Sequence, residues 1–421
     1  MTKAVRASLA LVLACIAPAL LAPADSYAQE TPLPASALEA HLTHELDLAG
    51  SFSGGYVYDL TAGRPLFSMR ADVEHPPASV EKLYTATTAL ARMGASTRLS
   101  TLVLGSGELS PSGEWVGNLY LRGGGDPTFG SRAFIRTHYG GLGASVQSLA
   151  AALVKDGIRR VNGRIEGDES YFDSLRGEPS SGYAPDPYLE GTLSALAFNR
   201  GETGPYRGQH APAEYAAHEL ALALAADHVK VLHGSTAAST PPGARTLASV
   251  SSPTLAQLLS LMLPPSDNFF AETLVKDLGA RYGGAGTTAA GAAVVRSTIA
   301  SLIGPHPRIV DGSGLSREDL TAPEQVVALL RYLDTNPLGV FVRSALAVAG
   351  HSGTLSDRML HSAATGRCRA KTGTLTGVSN LAGYCEAANG HIVAFAFFND
   401  ALAIETARSL QDNMAITIAR Y

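Results

Sequence analysis

The chain has 421 residues, of which 46% are hydrophobic and 16% charged, and its formal net charge is −5. That composition excludes intrinsic disorder and supplies apolar surface for a large core with room for more than one domain. A mildly acidic chain also excludes binding nucleic acid by phosphate neutralisation, so no nucleic-acid partner is expected.

Lys3 and Arg6 lead into an apolar run from Ala7 to Ala22, followed by Ser26-Tyr27-Ala28. This is the charge, apolar core and small-x-small order of a signal peptide, and Pro18 and Pro23 interrupt the run too early for a membrane span. Residues 1–28 therefore read as a leader cleaved near Ala28, with the mature protein periplasmic and without a stable membrane anchor. Losing Lys3, Arg6 and Asp25 leaves 30 basic against 36 acidic residues.

Residues 29–96 read as a helix from Pro34 to Leu48, a strand hairpin with Ala62-Gly63-Arg64-Pro65 as its turn, and an apolar helix headed by "PPASVEKLYTATTAL". Between 97 and 248 the texture changes to short alternating strands with glycine turns, such as "GEWVGNLYLRGGGDP", mixed with helices near 145–156 and 213–227. From 249 to 421 helices dominate up to Arg367. Three strands then follow, "RCRAKTGTLTG", "VSNLAGYCEA" and "GHIVAFAFFND", and a last helix from about Ala403 to Arg420.

Ser79 and Lys82 stand three apart at a helix start, so hydroxyl and amine can meet on one face. Further on lie Ser266-Asp267-Asn268 after a double proline and Lys371-Thr372-Gly373 on a predicted strand. A serine nucleophile needs a neighbouring base. No Ser-His-Asp arrangement is apparent, and "GHSGT" at 350–354 lacks the nucleophile-elbow pattern. Lys82 fits as the base if burial and a second cation, Lys371, lower its pKa toward about 7.

In order, S-x-x-K, S-D-N and K-T-G resemble the catalytic set of penicillin-binding proteins and class A β-lactamases. In that scheme Ser266 relays a proton to the leaving group, Asn268 holds Lys82 and the substrate amide, and Thr372 with Lys371 takes the terminal carboxylate. Gly373 and Leu375 join them along the strand as substrate-binding positions, and the backbone N–H groups of Ser79 and Thr374 are the natural oxyanion donors. No E-x-x-L-N deacylation motif lies between S-D-N and K-T-G. His41, His44 and Glu45 in "HLTHEL" do not have an established zinc spacing, so no metal or cofactor is expected.

"SVEK", "GGGDPTF" at 123–129, "SDNFFAE", "VDGSGLSRED" at 310–319 and "AKTGTLTGVSNLAGY" at 370–384 together resemble the penicillin-binding protein 4 type of D-Ala-D-Ala carboxypeptidase/endopeptidase, the class C low-molecular-mass group. The resemblance implies an α+β fold, a serine β-lactamase/transpeptidase-like domain with an antiparallel sheet covered by helices. The domain is split into 29–96 and 249–421 by a mixed α/β insertion at 97–248. It also implies an acyl-enzyme acting on peptidoglycan stem peptides and crosslinks, with β-lactams as inhibitors. A β-lactamase or esterase of the same fold, or a non-catalytic peptidoglycan-binding module, is the alternative. By the same resemblance Asp126 and Arg317 recognise the free end of a diaminopimelate side chain. "SRED" departs from the commoner "SR-x-N", which leaves Asp319 without an assigned part.

If the K-T-G hairpin turns between Thr376 and Gly377, Cys368 and Cys385 stand opposite each other and can form a disulfide.

Overall fold

The strands Val378–Glu386 and Ile392–Asp400 are buried along nearly their whole lengths, so both faces of their sheet must be covered. Their alternation divides the molecule's main body into two cores. Leu381, Cys385, Val393, Phe395 and Phe397 face one core, while Ala382, Tyr384, Ala394, Ala396 and Phe398 face the other. On the first face lie the helices Ala35–Ala49 and Ile404–Arg420, which present Leu38, Leu42 and Leu46, and Leu410, Met414 and Ile418, at four-residue spacing. The second face carries the helix Pro323–Thr335 and, behind it, the helices Lys82–Met93, Asn268–Tyr282 and Thr288–Ile303.

The computed structural model describes residues 31–202, 210–304 and 307–421. The leader expected at residues 1–28 lies outside them. Among the described residues this sheet has six strands, in the order Ala347–Val348, Cys368–Leu375, Val378–Glu386, Ile392–Asp400, Ser53–Asp59 and Arg64–Met69, with antiparallel pairing throughout. The first hairpin turns earlier than its sequence suggests. Asp59 accepts from Ala62 N at 2.8 Å through its carboxylate and from Gly63 N at 2.9 Å through its carbonyl, so Arg64 and Pro65 already belong to the returning strand.

A second sheet is built within Ser100–Ser251. Its strand Ser100–Leu109 pairs antiparallel with both Glu114–Arg122 and Arg245–Ser251, and the helices Val146–Lys155 and Pro212–Ala226 contribute to a separate core around Trp115, Leu119, Leu149 and Leu220. The segment leaves and rejoins the body at one point. There Leu99 N donates to Ser252 Oγ at 2.9 Å and Ser252 N to the Leu99 carbonyl at 2.8 Å.

Candidate active site

Ser79 does not begin the helix that follows it. It sits in a single 3₁₀ turn, Ala78–Glu81, and Lys82 is the first α-helical residue. In a 3₁₀ turn positions i and i+3 eclipse. That stacking brings Lys82 Nζ to 2.8 Å from Ser79 Oγ. The turn is fastened from the sheet, because Asn380 Nδ2 donates to the carbonyls of Pro76 and Pro77 at 2.8 and 2.9 Å. Gly373 supplies close approach: a Cβ there would stand 2.5 Å from the Pro77 carbonyl oxygen, so only glycine lets this strand lie against the turn.

Lys82 is fully buried, and its three hydrogens reach Ser79 Oγ, Asn268 Oδ1 at 2.6 Å and the Ser313 carbonyl at 2.8 Å. Burial lowers its pKa to about 8, opposed by the charges of Asp311 and Glu272. Those carboxyls bind successive backbone N–H groups of one loop. Glu272 Oε1 accepts from Gly312 N and Ser313 N at 2.9 and 2.8 Å, and Asp311 Oδ1 from Ser313 N and Gly314 N at 3.0 and 2.6 Å, fixing the carbonyl that receives Lys82. Burial and the neighbouring Asp311 charge push Glu272 up to about 8. Glu81, also fully buried and with neither carboxyl oxygen hydrogen-bonded, is raised well above its usual range, first by burial.

Lys371 Nζ donates to Ser266 Oγ and to the Thr372 carbonyl, both at 2.8 Å. Among the described residues no carboxylate partners it. Burial first, and then repulsion from Lys82, hold it well below the ordinary lysine range. Burial therefore lowers both lysines, and each adds to the cost of charging the other.

Ser266 has a left-handed φ of 69° and Ala78, which opens the turn carrying Ser79, one of 47°; such backbone costs roughly 1–3 kcal/mol per residue. Next to Ser266, Asp267 caps the helix Asn268–Tyr282 by accepting from Phe270 N at 3.0 Å, and it forms a buried bidentate ion pair with Arg200 of the second sheet's segment at 2.5 and 3.1 Å. Asn268 Nδ2 donates to the Tyr188 carbonyl at 2.7 Å, so one of its two N–H bonds is committed to that segment rather than open to a ligand.

One open cleft is lined by Ser79, Ser266, Asn268, Thr354, Arg358, Thr372, Thr374 and Arg408. Lys82 and Lys371 lie beneath it. Leu375 closes the strand opposite Val378 and stands outside the cleft lining. Asp126 and Arg317 are outside it too. Asp126 is buried in its own turn, accepting from Thr128 N at 2.8 Å and from the Thr128 hydroxyl at 2.7 Å. Arg317 donates to the Thr376 carbonyl at the tip of the K-T-G hairpin. Asp319 is buried and accepts from Val310 N. Cys368 and Cys385 face each other in register and are joined by a disulfide, with Cα atoms 4.1 Å apart.

Several lining residues carried no sequence signal. Thr354 belongs to "GHSGT", which lacks the nucleophile-elbow pattern and carries no other motif. Arg358 and Arg408 come from a loop and from the C-terminal helix, far from any motif. Glu272 is four residues past Asn268, and Asp311 stands in "VDGSGLSRED"; a buried carboxyl at either place shows only once the helices pack.

A serine hydroxyl bonded to a buried lysine, beside a second buried lysine on an antiparallel strand, defines a serine hydrolase of the acyl-enzyme class. The chain belongs to the D-Ala-D-Ala carboxypeptidase 3 (S13) family, whose model matches residues 35–188 and 188–421. It is 29% identical to a D-alanyl-D-alanine carboxypeptidase of Actinomadura sp. (strain R39), over 89% of this chain and 82% of that one. With a carboxypeptidase of Mycobacterium tuberculosis it shares 31% identity over 82% of this chain and 76% of the relative. The fold matches crystalline penicillin-binding protein 4 of Haemophilus influenzae with a TM-score of 0.75 at 22% identity, covering 91% of this chain and 98% of the other. The body is thus a serine transpeptidase-like domain.

Proposed function

We propose that this D-alanyl-D-alanine carboxypeptidase/endopeptidase works on peptidoglycan peptides with Ser79 as nucleophile and Lys82 as its base. The observation that carries the assignment is the 2.8 Å contact between Lys82 Nζ and Ser79 Oγ, made by a lysine sealed from water. The Ser79 hydroxyl proton goes to Lys82 while Oγ bonds to the scissile carbonyl carbon. Oxyanion charge is met by the N–H groups of Ser79 and Thr374. The C–N bond then breaks, and Ser266, bonded to Lys371, relays to the departing nitrogen the proton that Lys82 took from Ser79, so that its own hydroxyl is restored. Water cleaves the resulting ester and frees Ser79. Thr372 and Lys371 take the carboxylate of the leaving residue, and that negative charge restores the proton affinity that burial removes from Lys371. Asn268 holds Lys82 in line.

β-Lactams fit the same scheme as acylating inhibitors; a Haemophilus influenzae penicillin-binding protein 4 of this fold is known with a β-lactam bound, at a TM-score of 0.67. We read residues 1–28 as an export leader and the protein as periplasmic, a setting that suits a disulfide. Residues 97–248 are read as an inserted domain between the two parts of the body. Asp126 and Arg317 stay outside this scheme. Benzylpenicillin should add one drug mass to the Ser79 peptide, and Ser79→Ala should abolish that adduct; labelling that survives the substitution sinks the assignment.

A further inference from the structure

Beyond the catalytic cleft, on the side of Thr354, lies a larger cavity of about 590 Å³. It shares Thr354, Arg358 and Arg408 with the cleft and extends it between the loop at Ser356 and Asp357 and the C-terminal helix at Glu405 and Ser409. We propose that this extension is a leaving-group subsite, which receives the peptide chain continuing beyond the scissile bond of a crosslinked substrate. The inference rests on the Ser79 reading above and adds to it where the second peptide goes.

Direction follows from Thr354. Its hydroxyl is 2.8 Å from that of Thr372, the residue assigned to the leaving carboxylate, so whatever lies past Thr354 lies past that carboxylate. A free terminal alanine has only a methyl group there and leaves the extension empty. In a crosslink the leaving nitrogen belongs to the side-chain amino carbon of a diamino acid, which bears both a carboxylate and an onward chain. That chain needs a volume of this size.

The charges suit such a guest. Arg358 is already engaged, with Asp412, the Arg408 carbonyl at 3.1 Å and Gln411 at 3.2 Å. Arg408 is differently placed: its ion pair is with Glu405, whose side chain is 85% exposed. A pair so exposed is worth little, so the Arg408 guanidinium is free to exchange it for a carboxylate, which it can bind bidentately. Asp357 and Glu405 along the same walls offer anions to a free ammonium.

The test fills the extension from its two walls with Ser409→Trp and, separately, Ser356→Trp, both at exposed positions where the fold tolerates bulk. Three substrates are compared: a monomeric peptide ending in D-Ala-D-Ala, a synthetic dimer joined through a D-alanyl bond to a diamino acid side chain, and benzylpenicillin. Each variant should lose at least tenfold in kcat/KM on the dimer and stay within about twofold of wild type on the monomer and on penicillin. Unchanged dimer cleavage in both variants overturns the subsite, as does a wild-type enzyme that leaves the dimer intact. Equal losses on all three substrates in both variants also overturn it, since the extension would then serve the cleft in general. Penicillin labelling of Ser79 in the wild type reports on the underlying assignment separately.

Discussion

Buried carboxyls are handled differently in the two regions of the molecule. Within the Ser100–Ser251 segment, burial would raise Asp168, but hydrogen bonds from Ser170 N at 3.0 Å and Thr240 N at 2.9 Å outweigh it and hold the group below its ordinary range. Near Lys82, Glu272 also accepts two backbone N–H bonds, yet it is pushed up to about 8, because it is fully buried and Asp311 stands beside it. Asp168 is thus satisfied locally, although Asp126 of the same segment is not. The body crowds Glu81, Glu272 and Asp311 behind one buried lysine. Such crowding destabilises the fold, and it suits the base proposed for Lys82, which has to give up a proton and take one back.

The sharpest test of that contrast removes the lysine. Lys82→Met keeps the volume and should slow penicillin acylation by about 10³-fold while leaving the circular dichroism spectrum intact. In the wild type the acylation rate should rise with pH through about 8, as Lys82 gives up its proton. A variant acylated within tenfold of wild type would mean that Lys82 does not act as the base.

Arg200 is where the segment's charge enters the body, and it lets the contrast be tested from the other side. Arg200→Ala leaves Asp267 buried without its partner and should lower the unfolding free energy in urea by about 3–5 kcal/mol. Arg160→Ala, which breaks a pair with side chains 54% and 32% exposed, should stay below about 1 kcal/mol. Equal losses would erase the distinction. The disulfide comes next: replacing Cys368 and Cys385 by alanine opens a link spanning 17 positions, with an expected loss of about 3 kcal/mol read from the same urea curves.

The parts visible in the sequence were those with local or periodic causes. The last three strands and the helices from Pro34 and from Ala403 were legible close to their observed bounds. The three motifs named Ser79, Lys82, Ser266, Asn268, Lys371 and Thr372, because their spacing within each motif is fixed by one turn or one strand. What the sequence could not show depended on packing between distant segments. The peptide at Ser313 reaches Lys82 only because the helix Asn268–Tyr282 brings Glu272 beneath it. Arg408 reaches the cleft only because the C-terminal helix crosses the sheet near Thr354. At Asp126 the resemblance implies a ligand contact, and the structure adds that the carboxylate accepts both hydrogen bonds of its own turn.

Asp126 also gives the smallest predicted effect, and the one that bears most directly on that difference. Burial raises its pKa to about 7, against an ordinary value of 3.8, and the hydrogen bonds from Thr128 only partly offset the shift. Between these two values the folded protein binds more protons than the unfolded chain, so this group makes stability fall as pH rises from about 4 to 7, and the penalty is complete above that range. Oδ1 accepts both bonds from Thr128, while Oδ2 is buried without a partner. Asparagine can keep the Oδ1 bonds and cannot ionise. Asp126→Asn should therefore raise the unfolding free energy by about 2 kcal/mol at pH 8 and leave it unchanged near pH 4. Urea titrations at the two pH values measure the difference. Hydrolysis of a peptide with a free diamino acid end should be unaffected, because the carboxylate is turned into its own loop; a selective loss on that peptide, with no gain in stability at pH 8, would return Asp126 to substrate recognition.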